Sequence, residues 1–497
     1  MDRTRLRRGG GIAAGALLLS TTLAASTAAT PAAGIGDRYF PDYGNPGYDV
    51  AHYDLRLDYE PATDLLAGTA TIDATATQDL PHFSLDFLLD VESVRVNGEP
   101  ATHRSNDHKL TVVPARPVAA GRRLTAVVRY ADTPSQITRH GTTAWWRTRE
   151  GAVVVGEPES AWWWFPSNDH PRDKATFDVR VTVPEGLQVV SNGVLTDTTV
   201  HNGRVRYTWR ETAPQATYLA TMAIGRYQVR TARMSDGLPV VTAYDTDLGD
   251  DLAAARASLE RTGEIVEWES ELFGRYPFTS TGGIATAAGI RFALETQTRP
   301  VYSPRFFRRG PNTYIVAHEI AHQWFGNSVS VADWSDIWLN EGFATYTEWM
   351  WSEDEGEGTV RELADWVYHL HPADDEFWQV PPGDLGAGRL FAPAVYQRGA
   401  LAVHALRAEV GDAAFFEILR TWLAEHRYGN ASIAEFIAHA EAVSGAELKP
   451  LFDAWLFTKG RPEAAVAEEA GINPRTVPEE PASWRKIQPR RHSTGGP

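Results

Sequence analysis

From Tyr48 to about Arg233 the chain alternates apolar and polar residues with a period of two. In "HYDLRLDYE", Tyr53, Leu55, Leu57 and Tyr59 interleave with His52, Asp54, Arg56 and Asp58. That alternation predicts a half-buried strand. "SVRVNGEPA" runs a strand into an Asn97-Gly98 turn. "LTAVVRYAD", "FDVRVTVPEG" and "VRYTWRE" keep the same period. Many short strands joined by Gly and Pro turns predict an all-β N-terminal domain, a sandwich or a saddle-shaped sheet. The pattern changes near "SDGLPVVTAYDT". One more strand follows, and "DLAAARASLERTGEIVEWESELFG" then predicts a helix from Asp251. Further helices are predicted around residues 318–324, 339–351 and 398–410. The boundary falls near Asp236. Residues 34–236 form the β domain, and 237–462 form a mainly helical α+β domain. The polar, Pro/Gly-containing stretch 463–497 reads as a disordered tail.

Composition narrows the class. At 497 residues the chain is too long for one core. Hydrophobic residues at 43% and charged residues at 22% are those of a soluble globular protein. A net charge of −17 argues against nucleic acid or an anionic membrane as partner. With no cysteine, disulfides, thiolate catalysis and Cys-ligated zinc are excluded. Arg3, Arg5, Arg7 and Arg8 precede the apolar run "IAAGALLLSTTLAA" and the small residues of "STAATPAAG". This predicts a cleavable export signal over 1–33 and a secreted, extracellular protein. The run is too short to serve as a membrane anchor. Arg7-Arg8 is compatible with the twin-arginine and the general secretory route. Acidic "SEDEGEGTVRE" and basic "RFFRRG" read as solvated surface.

One stretch carries candidate chemistry: "VAHEIAHQWFGNSVSVADWSDIWLNEGFATYTEW", Val316 to Trp349. His318 and His322 are four apart and share one face of a helix. Two imidazoles on adjacent turns can reach one ion. Glu319, beside the first, can reach a water on that ion. A catalytic zinc takes three protein ligands and keeps one open position. Glu341, in "LNEGFA", opens a second predicted helix that a hairpin can fold back onto the histidines. Asn340 and Gly342 suit a tight approach there. One zinc per chain, held by His318, His322 and Glu341 with Glu319 as general base, defines a hydrolase site for peptide or ester bonds. It does not say whether an internal or a terminal bond is cut.

"HEIAHQWFGN" followed by "WLNEGFATY" resembles the aminopeptidase N family of gluzincin zinc peptidases, which includes leukotriene hydrolase. The resemblance extends from about residue 40 to 462. It includes the opening strands "YDVAHYDLRLDYEPATDLLAGTATI", and "WFPSNDHPRDKATFDVRVTVPEGLQVVSNG" with Ser167 at the usual cysteine position. "ELFGRYPF" and "LFDAWLFTKGRP" also match. The resemblance implies an N-terminal β domain followed by a thermolysin-like catalytic domain. It implies a tyrosine oxyanion donor in a Tyr-x-Lys-Gly segment. Here that segment is "YQRG", giving Tyr396, with Arg398 in the lysine place. The family's Gly-x-Met-Glu-Asn motif, whose glutamate holds the substrate's α-ammonium, aligns with "FALET". Glu295 keeps the glutamate place, while Phe292, Leu294 and Thr296 replace glycine, methionine and asparagine. A second acidic residue comes from "GEPESAWWWFP", where Glu157 and Glu159 compete and spacing favours Glu157. Trp162, Trp163 and Trp164 are candidates for the first side-chain pocket, with core packing expected for at least two. Longer family members carry a helical C-terminal domain; about 35 residues follow Pro462 here, so a more open cleft is expected.

The resemblance implies a secreted zinc aminopeptidase acting on peptides with a free N-terminus. Two alternatives stay open: a thermolysin-like endopeptidase on the same scaffold, and a silent peptide-binding protein.

Overall fold

The computed structural model describes residues 34–487. The expected export signal and the last ten residues lie outside that range. The strand Tyr48–Glu60 lies inside a ten-stranded sheet. It pairs antiparallel with Leu65–Ala76 and parallel with Lys174–Pro184, placing Leu55 opposite Ala70 and Val179. Tyr53, Leu55, Leu57 and Tyr59 are all buried, as the alternation requires. A second sheet of four short strands runs in the order Gln188–Ser191, Met222–Gly225, Ala152–Val154, Trp145–Arg147. Apolar residues of both sheets join one core. Trp162, Trp163 and Trp164 all belong to that core and are at most 1% exposed.

The second half begins earlier than the sequence pattern suggests. Strand Tyr227–Arg233 pairs with Pro239–Asp245, so the expected boundary at Asp236 falls inside a hairpin. Both strands belong to a five-stranded sheet that continues through Thr281–Ala285 and Val301–Tyr302 to the edge strand Ala293–Leu294. Helices cover this sheet and share a separate core. The helix expected from Asp251 runs as Leu252–Leu259 and Thr262–Phe273. The other three are Thr313–Ala321, Trp338–Asp354 and Pro393–Glu425, the last interrupted at Gly411. Among the described residues, no helix is long and apolar enough to cross a membrane.

The stretch 463–487 is not a disordered tail. It forms the short helices Ala464–Glu469 and Trp484–Ile487. Trp484 is 1% exposed and sits 6.5 Å from the Trp366 ring. The Ser483 hydroxyl meets that of Ser352 at 2.7 Å, and Lys486 pairs with Glu357 at 2.6 Å. Asn312 caps Thr313–Ala321 by accepting from the Tyr314 and Ile315 amides, a cap that stabilises by about 1 kcal/mol. The same Asn312 donates its Nδ2 to the Lys486 carbonyl at 3.0 Å. A few apolar anchors in a polar run are enough to dock this segment, and average composition does not register them.

Candidate metal centre and the acidic pocket beside it

Thr313–Ala321 presents His318, and His322 follows as its C-cap with helical φ −58° and ψ −24°. The one-turn spacing therefore holds although the helix ends one residue earlier. The two Nε2 atoms lie 3.0 Å apart. Glu341 Oε2 is 3.3 Å from His318 Nε2 and 3.6 Å from His322 Nε2. All three side chains are buried. Outward nitrogens fix the tautomers. His318 Nδ1 lies 2.7 Å from Glu348 Oε1, within ion-pair range, and His322 Nδ1 donates to the Phe325 carbonyl at 3.1 Å. Both rings thus turn acceptor lone pairs toward each other and toward Glu341 Oε2, a buried carboxylate oxygen with no hydrogen-bond donor. That crowding of lone pairs is satisfied by a cation. The donor set fits zinc.

Two glycines let the helices close. A Cβ on Gly342 would meet Trp338 Nε1 at 2.4 Å, and one on Gly399 would lie 3.2 Å from Gly342 Cα. Trp338 Nε1 donates to the Gly399 carbonyl at 3.0 Å. The Glu341 helix therefore crosses Pro393–Glu425 at a glycine–glycine contact. This brings Tyr396 to the centre, its ring 6.3 Å from that of His318 and tilted 23°. Arg398, in the family's lysine place, is wholly buried. It donates to the carbonyls of Trp455, Trp378, Ala454 and Thr458. Its task is to fasten this helix to the segment 453–458.

Four carboxylates meet beside the histidines. Glu295, Glu319 and His322 bring ligand atoms within 4.8 Å of one another. Burial raises the Glu295 carboxyl pKa; His322 lowers it and Glu341 raises it further. Burial also raises that of half-buried Glu157, helped by the negative fields of Glu295, Glu341 and Glu319. The pocket is an acidic enclosure that favours cations. Glu159 points elsewhere: burial pushes its carboxyl up to about 7, and its partners are Tyr43 and Arg139.

Several residues that position this site escaped the sequence reading. Tyr218, from the β half, donates its hydroxyl to Glu295 Oε1 at 3.1 Å. Asn327 Nδ2 and Gln323 Nε2 donate to the Glu295 carbonyl at 2.7 and 3.1 Å. Glu348, which orients His318, lies seven residues after Glu341. That is two helical turns, a signal present in the sequence. Tyr218 has no such local signal.

Fold and site together define a mononuclear zinc hydrolase with a β-sheet domain in front of a helical catalytic domain. The description "Peptidase M1 N-terminal domain" matches residues 50–219, and "Peptidase family M1 domain" matches 307–455. The M1 zinc metallopeptidase from Deinococcus radiodurans has a similar structure, with TM-score 0.78 and 30% identity over 86% of this chain and 99% of that one. A mutant of it bound to a Tyr-Ser-Ala substrate gives TM-score 0.77 and 31% identity, with coverage of 86% and 99%. Aminopeptidase M1 of Arabidopsis thaliana is 29% identical over 63% of this chain and 37% of its own length. Tricorn protease-interacting factor F2 of Thermoplasma acidophilum is 24% identical over 85% of this chain and 55% of its own. The chain spans between 37% and 55% of the length of these two curated relatives. It belongs to peptidase family M1, and His318, His322 and Glu341 are its single zinc site.

Proposed function

We propose that this protein is an exported zinc aminopeptidase that removes N-terminal residues from peptides. The observation that carries the reading is the convergence of Glu295 and Glu157 on the pocket containing Glu319 and His322. One acidic side chain directly follows the edge strand of the catalytic sheet and the other comes from the β half. Together they make an anchor for a substrate α-ammonium. That anchor sets the first peptide bond at the zinc and penalises peptides without a charged N-terminus.

His318, His322 and Glu341 would hold the zinc, which would supply Lewis-acid polarisation of a carbonyl and a lowered pKa for a water. Glu319 takes the proton of the attacking water and hands it to the leaving amine. Tyr396 donates its phenolic proton to the oxyanion as charge develops. Glu295 and Glu157 hold the α-ammonium, and Tyr218 holds Glu295. Export rests on the pattern of 1–33 and is tested by recovering mature chain, lacking that segment, from outside the cell.

Chelation tests the reading. Removing zinc abolishes hydrolysis of aminoacyl reporters, and added zinc restores it. Full activity in protein shown to be zinc-free contradicts the proposal. Cleavage of blocked, internal peptides in preference to aminoacyl reporters would make the protein an endopeptidase instead.

A further inference from the structure

We propose that Asp37 is a positioning residue for the ammonium pocket: it straps the segment 34–43 across both halves and, through Trp334 and Tyr218, sets where Glu295 stands. The inference rests on the aminopeptidase reading and extends it to a residue far from the pocket in sequence.

The argument starts from one carboxylate. Asp37 is buried between exposed Gly36 and Arg38. Its Oδ1 accepts from the Tyr39 and Phe40 amides, both at 2.8 Å, which closes a local turn. Its Oδ2 reaches both halves. It accepts from His170 Nε2 of the β half at 3.0 Å and from the Trp334 amide of the catalytic half at 2.8 Å. His170 Nδ1 accepts from the Arg172 amide at 3.1 Å, so Nε2 carries the ring proton and Asp37 is the acceptor. Burial works against charge on Asp37. The His170 bond, with the Trp334 and Phe40 amides, outweighs it and holds the carboxyl below its usual range.

Neighbouring residues repeat the bridge. The Arg38 amide donates to Asp333 Oδ2 at 2.9 Å, and the Tyr39 hydroxyl accepts from the Gly386 amide at 2.9 Å. Both partners belong to the catalytic half. The Ile35 carbonyl accepts from Arg172 Nη1 of the β half at 3.4 Å.

The path inward is aromatic. Trp334 is wholly buried. Its ring lies 6.4 Å from that of Phe40, edge-on, and 5.2 Å from that of Tyr218 at 65°. The Tyr218 hydroxyl donates to Glu295 Oε1 at 3.1 Å. Asp37 thus fixes the backbone of the tryptophan against which Tyr218 packs, and Tyr218 fixes the glutamate. Close-packed rings transmit a displacement rather than absorb it. A hydrogen bond weakens steeply when its angle is lost, so a shifted Tyr218 no longer holds Glu295. The zinc ligands are set by their own helices and stay in place.

The zinc-loaded chain is assayed as parent, Asp37→Ala, Tyr218→Phe and the double variant. Substrates are aminoacyl reporters and their N-acetylated forms, and zinc content and melting temperature are measured for each protein. Asp37→Ala is expected to raise KM for the free-amine reporter about tenfold, with kcat within about threefold and zinc unchanged. Tyr218→Phe is expected to do the same. The double variant should exceed Tyr218→Phe by less than about twofold in KM, because both changes act through one hydrogen bond. Phe40→Leu keeps the carboxylate and trims the ring against Trp334. It should raise KM in the same direction, and it carries the test if Asp37→Ala does not fold. A lower melting temperature at parental KM makes Asp37 merely structural and overturns the proposal. Effects on KM that multiply in the double variant overturn it too. A parent that cleaves no free-amine reporter overturns the aminopeptidase reading itself.

Discussion

The metal centre and the proposed ammonium pocket are built in opposite ways. His318, His322, Glu341 and the orienting Glu348 lie on two neighbouring helices within about thirty residues of chain, and their spacing follows from helix geometry. The pocket draws on the whole molecule. Glu157 follows a strand of the β half, and Glu295 follows the edge strand of the catalytic sheet. Glu295 is held by Tyr218 from one half and by Gln323 and Asn327 from the other. A local motif suffices to make a hydrolytic centre. On the proposed reading, choosing which bond it cuts takes two halves folded together. The centre should therefore fail from changes within the helix pair, and the selectivity from changes far away in sequence.

The largest break expected is Glu319→Gln. It removes the proposed general base and leaves the three ligands, so kcat should fall by about 10³-fold while bound zinc is unchanged. Activity assays alongside metal analysis check this. A variant that keeps both its zinc and its parental rate would contradict the assigned role.

The next break is Glu348→Gln. Glu348 touches no substrate but holds the tautomer of His318. Its loss should weaken zinc affinity about 10- to 100-fold, read by chelator competition. The preference for free over blocked N-termini should persist once zinc is saturating. If that preference collapses instead, the two sites are not separable in the way described.

The asymmetry also explains what could be read from the residues alone. The zinc ligands and Glu319 were legible because helix periodicity converts sequence spacing directly into proximity. Gly342 hinted at a close approach, and its contact with Gly399 is the crossing that carries Tyr396 inward. The period-two strands of the β half were legible for the same reason. Spacing favoured Glu157 over Glu159 only modestly: two residues apart, they are told apart by their three-dimensional surroundings. Glu157 faces the other pocket glutamates, and Glu159 faces Tyr43 and Arg139. Residues 463–487 were misread because Trp484 and Ile487 are sparse anchors in a polar run.

A smaller effect sharpens the pocket. Glu157→Gln should lower kcat/KM for aminoacyl reporters by about tenfold, mainly through KM, since it removes one of two anchoring charges. Glu159→Gln should change it less than about twofold, as expected of a substitution outside the site. Equal effects of the two substitutions would remove the distinction between them.

The most direct test of the central claim compares aminoacyl reporters with their N-acetylated forms in the parent and in Glu295→Gln. The parent should cleave the free-amine form at least about 10²-fold better, and Glu295→Gln should lose most of that margin by slowing only the free-amine form. A parent that cleaves both forms alike, or a Glu295→Gln protein that keeps the full margin, would contradict the claim that these glutamates select the terminal bond.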